Sequence, residues 1–485
     1  MTGDGFDVIL GNTPWDKVLF EPQQFWVTRH PGLNTVPASR RDDEIEALRQ
    51  RYPQQARDEE HEQHQREEYQ RYIKASFVDQ GRGHYDYAKL FVERATDVLA
   101  DDGELGYVLP RQSLVLGGWK QLRQRLLSDR SVTVLQARNR GGWIFDNVHN
   151  SYMIVCISSR PSADGGAYIW PAIEDEQAIA GLDSHRAIHL DQAELAGLTT
   201  ADRLVIPWFN QSGARDVFPK MQDHPRLADE EGWITGTHDS RWDFRSSGRH
   251  GHLSNSEQEE HHWRVFMTRS VDQYAINDEK EFRRFVDPAA LVDVDDAVVD
   301  SGGDIELADA HPMVTFRHVS RNDDTRTMIA TMLPASGYLY CAGYVHAVAH
   351  EPGISVRHLL ALLGYLNSFT CDWWARRIVD RHVTAPAINN LPIPDWDGDQ
   401  LEHVADIAAE LTRRGGIETL PGDHRIQSRD ELLGQSHSEL VADIEVSVAD
   451  GFDLSQADLE VVLGDFSEKA CPAELRGEIV ARMGG

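Results

Sequence analysis

The stretch that decides how this chain is read is Phe6-Asp7-Val8-Ile9-Leu10-Gly11-Asn12-Thr13-Pro14-Trp15. The apolar run Val8 to Leu10 has the unbroken hydrophobicity of a buried parallel strand. It ends in a glycine, then a side-chain amide, a proline and a large aromatic. An α/β sheet delivers reactive groups in this way, at the carboxyl end of a strand, where open sheets bind ligands. An ordinary turn after a strand is the plainer alternative, because Asn, Thr and Pro also favour turns.

Working outward, Tyr87 to Leu99 carries apolar residues at helical spacing and is stopped by Asp101-Asp102-Gly103. Glu104 to Pro110 then reads as a strand, Gly118 to Leu127 as a helix, Val132 to Ala137 as a strand and Ser151 to Ser158 as another. Strands alternating with helices predict an α/β domain with a doubly wound parallel sheet. Between the first strand and the Tyr87 helix lies a charged insert, about 39–75, expected to be helical, solvated and broken at Pro53. His61 and His64 in that insert read as bystanders on an exposed polar helix, and no metal site is expected.

The Asn12-Thr13-Pro14-Trp15 segment resembles the catalytic motif of amino-methylating DNA methyltransferases, usually written Asn/Asp-Pro-Pro followed by an aromatic. Thr13 stands where the first Pro is expected. The elements that follow are similar to the second half of the methylase domain in type IIG restriction–modification and phage-defence adenine methyltransferases. The resemblance implies an incomplete Rossmann-like sheet, double-stranded DNA as partner and S-adenosylmethionine as cofactor. The loop Phe145-Asp146-Asn147-Val148-His149 is similar to a family loop near the target base. That makes Phe145 a candidate for the base pocket, with a loop anchor as the plainer reading.

The chemistry explains why these residue types sit together. The exocyclic amine of adenine is a poor nucleophile, since its lone pair is delocalised into the ring. Two acceptors aimed at its two N–H bonds, the Asn12 amide oxygen and the Thr13 backbone carbonyl, return electron density to the nitrogen. Trp15 can stack on a base flipped out of the duplex, because the target atom cannot be reached inside it. Pro14 stiffens the loop by fixing φ.

Such enzymes carry a glycine-rich cofactor loop on strands ahead of the catalytic one, whereas only five residues precede Phe6 here. No G-x-G-x-x-G follows a later strand, and Gly3-Asp4-Gly5 and Gly81-Arg82-Gly83 are too short and wrongly placed. The expectation is that a second polypeptide supplies the cofactor-binding half. The alternative is a non-catalytic DNA-recognition subunit or remnant.

The 485 residues suit two to four domains. Four scattered cysteines, Cys156, Cys341, Cys371 and Cys471, read as reduced core residues. With no signal peptide and no bilayer-length apolar run, a cytoplasmic protein with no membrane partner is expected. The formal net charge is −31, and the 48 basic residues include only seven lysines. This acidic, lysine-poor balance suggests a halophilic host, where carboxylates hold water and salt screens their repulsion.

The expected organisation is a methylase half over 1–160, a linker over 161–199, a target-recognition domain over 200–396 and a helical region over 397–485. The 200–396 block resembles the family's α+β recognition domain. It includes an arginine-rich strand ending Asn322-Asp323-Asp324-Thr325-Arg326-Thr327, a helix over Leu359 to Arg376, and the closing Leu391-Pro392-Ile393-Pro394. Arg317, Arg321 and Arg326 could present a basic edge to DNA or pair with the abundant carboxylates. Asp278-Glu279-Lys280 is the nearest approach to a nuclease site and lacks an upstream partner.

Overall fold

The computed structural model describes residues 5–484 apart from 82, 147, 149–151, 164, 184–185, 199–203, 231, 239–252, 255–262, 278–284, 287–296, 300–304, 308–311, 336–337, 341–344 and 351–353. Asp278-Glu279-Lys280 and Cys341 therefore lie outside the described residues. The chain forms two compact units, Met1–Ile169 with His189–Gln192, and Trp170–Ile188 with Ala193–Gly485.

The first unit is organised by a six-stranded sheet. Its strands are β1 (Phe6–Asn12), β2 (Leu99–Pro110), β3 (Arg130–Arg138), β4 (Met153–Pro161), β5 (Ala167–Ile173) and β6 (Ile188–Leu190), in the order β1-β2-β4-β3-β5-β6. β1 pairs with β2 in parallel, setting Gly11 opposite Tyr107 and Asn12 opposite Val108. β4 is antiparallel to both β2 and β3, so the sheet is mixed, not all parallel. The reason is local. The described residues of the 139–152 connection form no crossover α-helix, and a chain without one returns antiparallel.

The stretch expected as a linker, 161–199, instead carries β5 and β6, which extend the sheet. Cys156, expected in the core, is exposed on β4, because odd and even positions of a strand face opposite ways.

Four helices follow β1 in sequence: α1 (Pro22–Arg29), α2 (Ala38–Arg51), α3 (Pro53–Ser76) and α4 (Tyr87–Val98). The predicted break at Pro53 is present, with Tyr52 between α2 and α3 and the proline at the first position of α3, where no N–H is needed. The insert is not wholly solvated. Phe25, Trp26, Leu33 and Ile45 form a small core, and Ile73 packs with Val18 and Leu90. The Asp86 carboxylate caps α4 by accepting from the Lys89 N–H at 2.8 Å.

In the second unit, Val314–Arg317 is central to a sheet that runs Ala330–Met332, Val314–Arg317, Val345–Ala349, Gly236–His238. The helix expected over Leu359 to Arg376 is two helices, Val356–Asn367 and Phe369–Ile378. They are divided at Ser368, whose hydroxyl caps the second by accepting from the Cys371 N–H. The helix Gly398–Arg414 crosses the first of these at Gly364, where a Cβ would stand 2.6 Å from Val404 Cγ1.

No boundary falls at 397. Glu445, on the helix His437–Asp450, is buried and accepts from the N–H groups of Phe369 at 2.6 Å and Thr370 at 2.9 Å. Arg377 forms a buried ion pair with Asp465. The C-terminal helices thus belong to the same compact unit as the residues before them. No helix among the described residues is long and apolar enough to cross a membrane.

Candidate active site

Asn12 is the last residue of β1 and is exposed. Its position depends on Gly11, where a Cβ would stand 2.5 Å from the Tyr107 ring of β2. The strand can therefore bring its amide-bearing end alongside β2 only with glycine at that point. Thr13 is 7 % exposed. Its hydroxyl and the Trp15 indole N–H are enclosed and have no hydrogen-bond partner. Two polar side chains beside the exposed Asn12 thus make no hydrogen bond within the fold.

The Trp15 ring meets Phe145 edge to face, with centroids 6.0 Å apart and planes at 87°. The structure thus brings together the strand-end segment and the Phe145 loop. That loop is held by a residue the sequence reading missed, Asn139, which is fully buried at the end of β3. Its Oδ1 accepts from the N–H groups of Ile144 and Phe145, both at 3.1 Å. Its Nδ2 donates to the carbonyls of Phe145 and Val148, both at 3.0 Å. All four side-chain hydrogen-bonding positions are used, which ties Ile144, Phe145 and Val148 to one side chain. An Asn directly after an apolar strand and before a glycine pair was the only available cue.

Beyond Trp15, backbone bonds run from Tyr87 N–H to the Asp16 carbonyl at 3.0 Å and from Val18 N–H to the Tyr85 carbonyl at 2.8 Å. The α3 side chain Gln70 donates to the Val18 carbonyl at 2.5 Å. The segment is therefore anchored on both α3 and α4.

The glycine pair Gly141-Gly142, both at positive φ, follows β3 but runs into the Phe145 loop and not into a helix.

In the second unit the three arginines part company. Arg326 is 9 % exposed and its Nε lies 2.7 Å from the fully buried Asp372. Its Nη2 donates to the carbonyls of Asn367 at 2.6 Å and Ser368 at 2.9 Å, and its guanidinium sits over the Phe369 ring. Arg376 holds the other Asp372 oxygen at 2.9 Å. Burial works against the Asp372 charge, yet Arg376 and Arg326 hold the carboxyl below its usual range.

The segment around Arg326 is a turn and not the expected strand. Asp324 accepts from the Arg321 N–H at 2.8 Å, and Asp372 accepts from the Thr327 N–H at 3.0 Å. Arg326 is thereby a core residue with no reach to a ligand. Arg317 is half-buried and its Nε donates to the Val271 carbonyl at 2.6 Å. Arg321 is half exposed and pairs with Asp323 at 3.4 Å and Asp324 at 3.1 Å.

Against known proteins, residues 56–139 match the Eco57I restriction-modification methylase family. The match runs from within α3 through β3 to Asn139, so over this segment the chain is similar to restriction–modification methylases. No curated protein matches the chain. Among solved structures it is similar to the type IIG restriction endonuclease BpuSI, at 12 % identity and a TM-score of 0.31, covering 81 % of this chain and 51 % of that one. It is similar to the type IIL restriction-modification enzyme MmeI in complex with DNA, at 10 % identity and a TM-score of 0.42, covering 82 % and 53 %. The type ISP restriction-modification enzyme LlaGI, in complex with a DNA substrate mimic, gives 12 % identity and a TM-score of 0.40, covering 86 % and 42 %. The chain thus spans about half the length, or less, of the solved structures it matches.

Proposed function

We infer that this chain is the base-engaging part of an adenine-N6 DNA methyltransferase of a restriction–modification or phage-defence system. The observation that carries the reading is the exposed Asn12 amide at the carboxyl end of a parallel strand, three residues from an indole set against Phe145. An adenine extruded from the duplex presents its amine to the Asn12 side-chain oxygen and the Thr13 backbone carbonyl, while Trp15 stacks on its ring. Both acceptors draw on the N–H bonds and turn the nitrogen lone pair outward for direct transfer. S-adenosylmethionine supplies an electrophilic methyl group when bound. In this reading the residues that hold the donor come from a second, cofactor-binding polypeptide.

The unpaired margin of β1 supports that assignment. Phe6, Val8 and Leu10 are exposed there, and with Phe91, Arg94 and Val98 of α4 they line a groove of about 380 Å³. Exposed apolar side chains beside an open strand edge are an interface in waiting. Arg317 and Arg321 are the DNA-facing candidates in the second unit. The acidic, lysine-poor composition supports a high-salt setting.

The test is incorporation of a labelled methyl group into duplex DNA by this chain alone and together with a co-expressed cofactor-binding polypeptide. Incorporation that Asn12→Ala abolishes establishes the reading. Specific DNA binding without incorporation in either arm replaces it with a recognition subunit.

A further inference from the structure

β1 and β3 run the same way, since β1 is parallel to β2, and β2 and β3 are both antiparallel to β4. Their carboxyl ends therefore lie at one end of the sheet. β2 and β4 stand between them, which at ordinary strand spacing separates the two by roughly 14 Å. Yet Phe145, beyond β3, meets Trp15, beyond β1. The chain leaving each strand must reach over the intervening strand ends to bring those rings together.

On the β3 side that reach is directed by Asn139. Its fully buried amide accepts from the N–H groups of Ile144 and Phe145 and donates to the carbonyls of Phe145 and Val148. Two of the four partners are the N–H and the carbonyl of Phe145 itself, so the bonds set the backbone from which that ring projects. The Trp143 indole N–H donates to the Arg138 carbonyl at 2.7 Å, tying the same stretch to β3 a second time. Between the two ties the chain turns at Gly141 and Gly142, at φ 67° and 75°, a region that side chains other than hydrogen rarely allow.

The bonds of Asn139 thus converge on the one residue of this stretch whose ring rests on Trp15. That contact matters to a stacked base. An adenine lying on the indole presents its amine to the Asn12 oxygen and the Thr13 carbonyl only if the indole holds one tilt. A misplacement of about 1 Å can cost about 100-fold in rate.

We propose that Asn139 is a positioning residue of the base pocket: by holding Phe145 against Trp15 it sets the tilt of the indole on which the extruded adenine stacks. It acts through Phe145 and touches no reacting atom. The purpose rests on the methyltransferase reading, whereas the coupling from Asn139 to Trp15 can be read without DNA.

The experiment labels the full chain with 5-fluorotryptophan and takes as the Trp15 signal the fluorine resonance that Trp15→Phe removes. Phe145→Ala should shift that resonance, Asn139→Ala should shift it the same way, and the double variant should go no further than Phe145→Ala. Fluorescence anisotropy then compares a labelled duplex carrying one unpaired adenine with the same duplex fully paired. Each single variant should weaken binding to the unpaired-adenine duplex roughly fivefold, the scale of one edge-to-face aromatic contact, and leave the paired duplex at parental affinity. The losses should not add, so the double variant should bind within about twofold of Phe145→Ala. A Trp15 resonance that Phe145→Ala moves and Asn139→Ala does not overturns the proposal while leaving the methyltransferase reading intact, as do fully additive losses. A parent chain with no preference for the unpaired adenine overturns both. Should circular dichroism show Asn139→Ala unfolded, Asn139→Asp decides by the same readings. It keeps the two accepted bonds and loses the two donated ones, so a smaller shift is expected and an unmoved resonance overturns the proposal.

Discussion

The Asn12–Trp15 segment and the Arg321–Thr327 turn look alike in sequence, since each is a short polar run following a strand. In space they are opposites. At Arg326 the strong groups close on one another: two guanidinium nitrogens meet Asp372 and two backbone carbonyls, and Asp372 in turn meets Arg376 and the Thr327 N–H. Around Asn12 the hydroxyl of Thr13 and the indole N–H of Trp15 are enclosed and unanswered. A polar run whose bonds close on themselves holds a fold together. One whose side chains make no such bonds contributes little to holding the fold together, and its substitution can be read for function instead.

The comparison can be broken at either end. The largest effect is expected at the open one. Asn12→Ala should lower methyl transfer by at least about 100-fold, the scale for losing a positioned transition-state acceptor, with an unchanged melting temperature. A melting temperature that falls with activity would make Asn12 a structural residue.

At the closed end, Arg326→Ala removes one of the two arginines on the buried Asp372 carboxylate and leaves the Asn367 and Ser368 carbonyls without their donor, and should cost about 3 kcal/mol in chemical denaturation. Arg321→Ala, on the same turn but half exposed, should cost under about 0.5 kcal/mol. Equal losses for the two would erase the distinction drawn between them.

Gly11→Ala sharpens the open end. Its methyl would meet the Tyr107 ring at 2.5 Å, so a loss of about 1–3 kcal/mol is expected. Pairing it with Tyr107→Ala should recover part of the Gly11→Ala loss.

The smallest effect is a pH dependence at a second closed network. Burial opposes the Glu410 charge, but hydrogen bonds from Arg413, Ser428 and Arg414 outweigh it and lower the carboxyl to about 2. A carboxyl depressed by folding stabilises at pH values above its unfolded pKa. That contribution should fade as pH drops from about 4.5 to about 2 and be missing throughout that range in Glu410→Gln, read by urea denaturation at each pH.

Much of this was legible from residues alone. Pro53 divides α2 from α3 because a proline tolerates only the start of a helix. Ser455 caps the helix Gln456–Gly464 by accepting from the Asp458 N–H, the role a serine directly ahead of an apolar-periodic run commonly takes. β1 was readable as a parallel strand from its apolar run but not as a buried one: it lies at the sheet margin with Val8 and Leu10 exposed, because burial depends on which strands pair.

Strand direction was misread for a related reason. Helix–strand alternation holds as far as β3 and then lapses, and β4 inserts antiparallel between β2 and β3. Arg326 was misread because a charged side chain carries no mark of its partner when that partner, Asp372, lies 46 positions away. Asn139 was missed because one amide looks like any other until its four bonds are seen.

The bare margin of β1 has a consequence for the molecule in concentrated solution. Open strands with greasy flanks invite identical neighbours to stack, and mutual repulsion from a formal charge of −31 is what keeps copies apart. Added salt weakens that repulsion. Concentrated salt is therefore the medium in which the exposed edge is most prone to self-association, and clumping of the isolated chain should grow as salt is added.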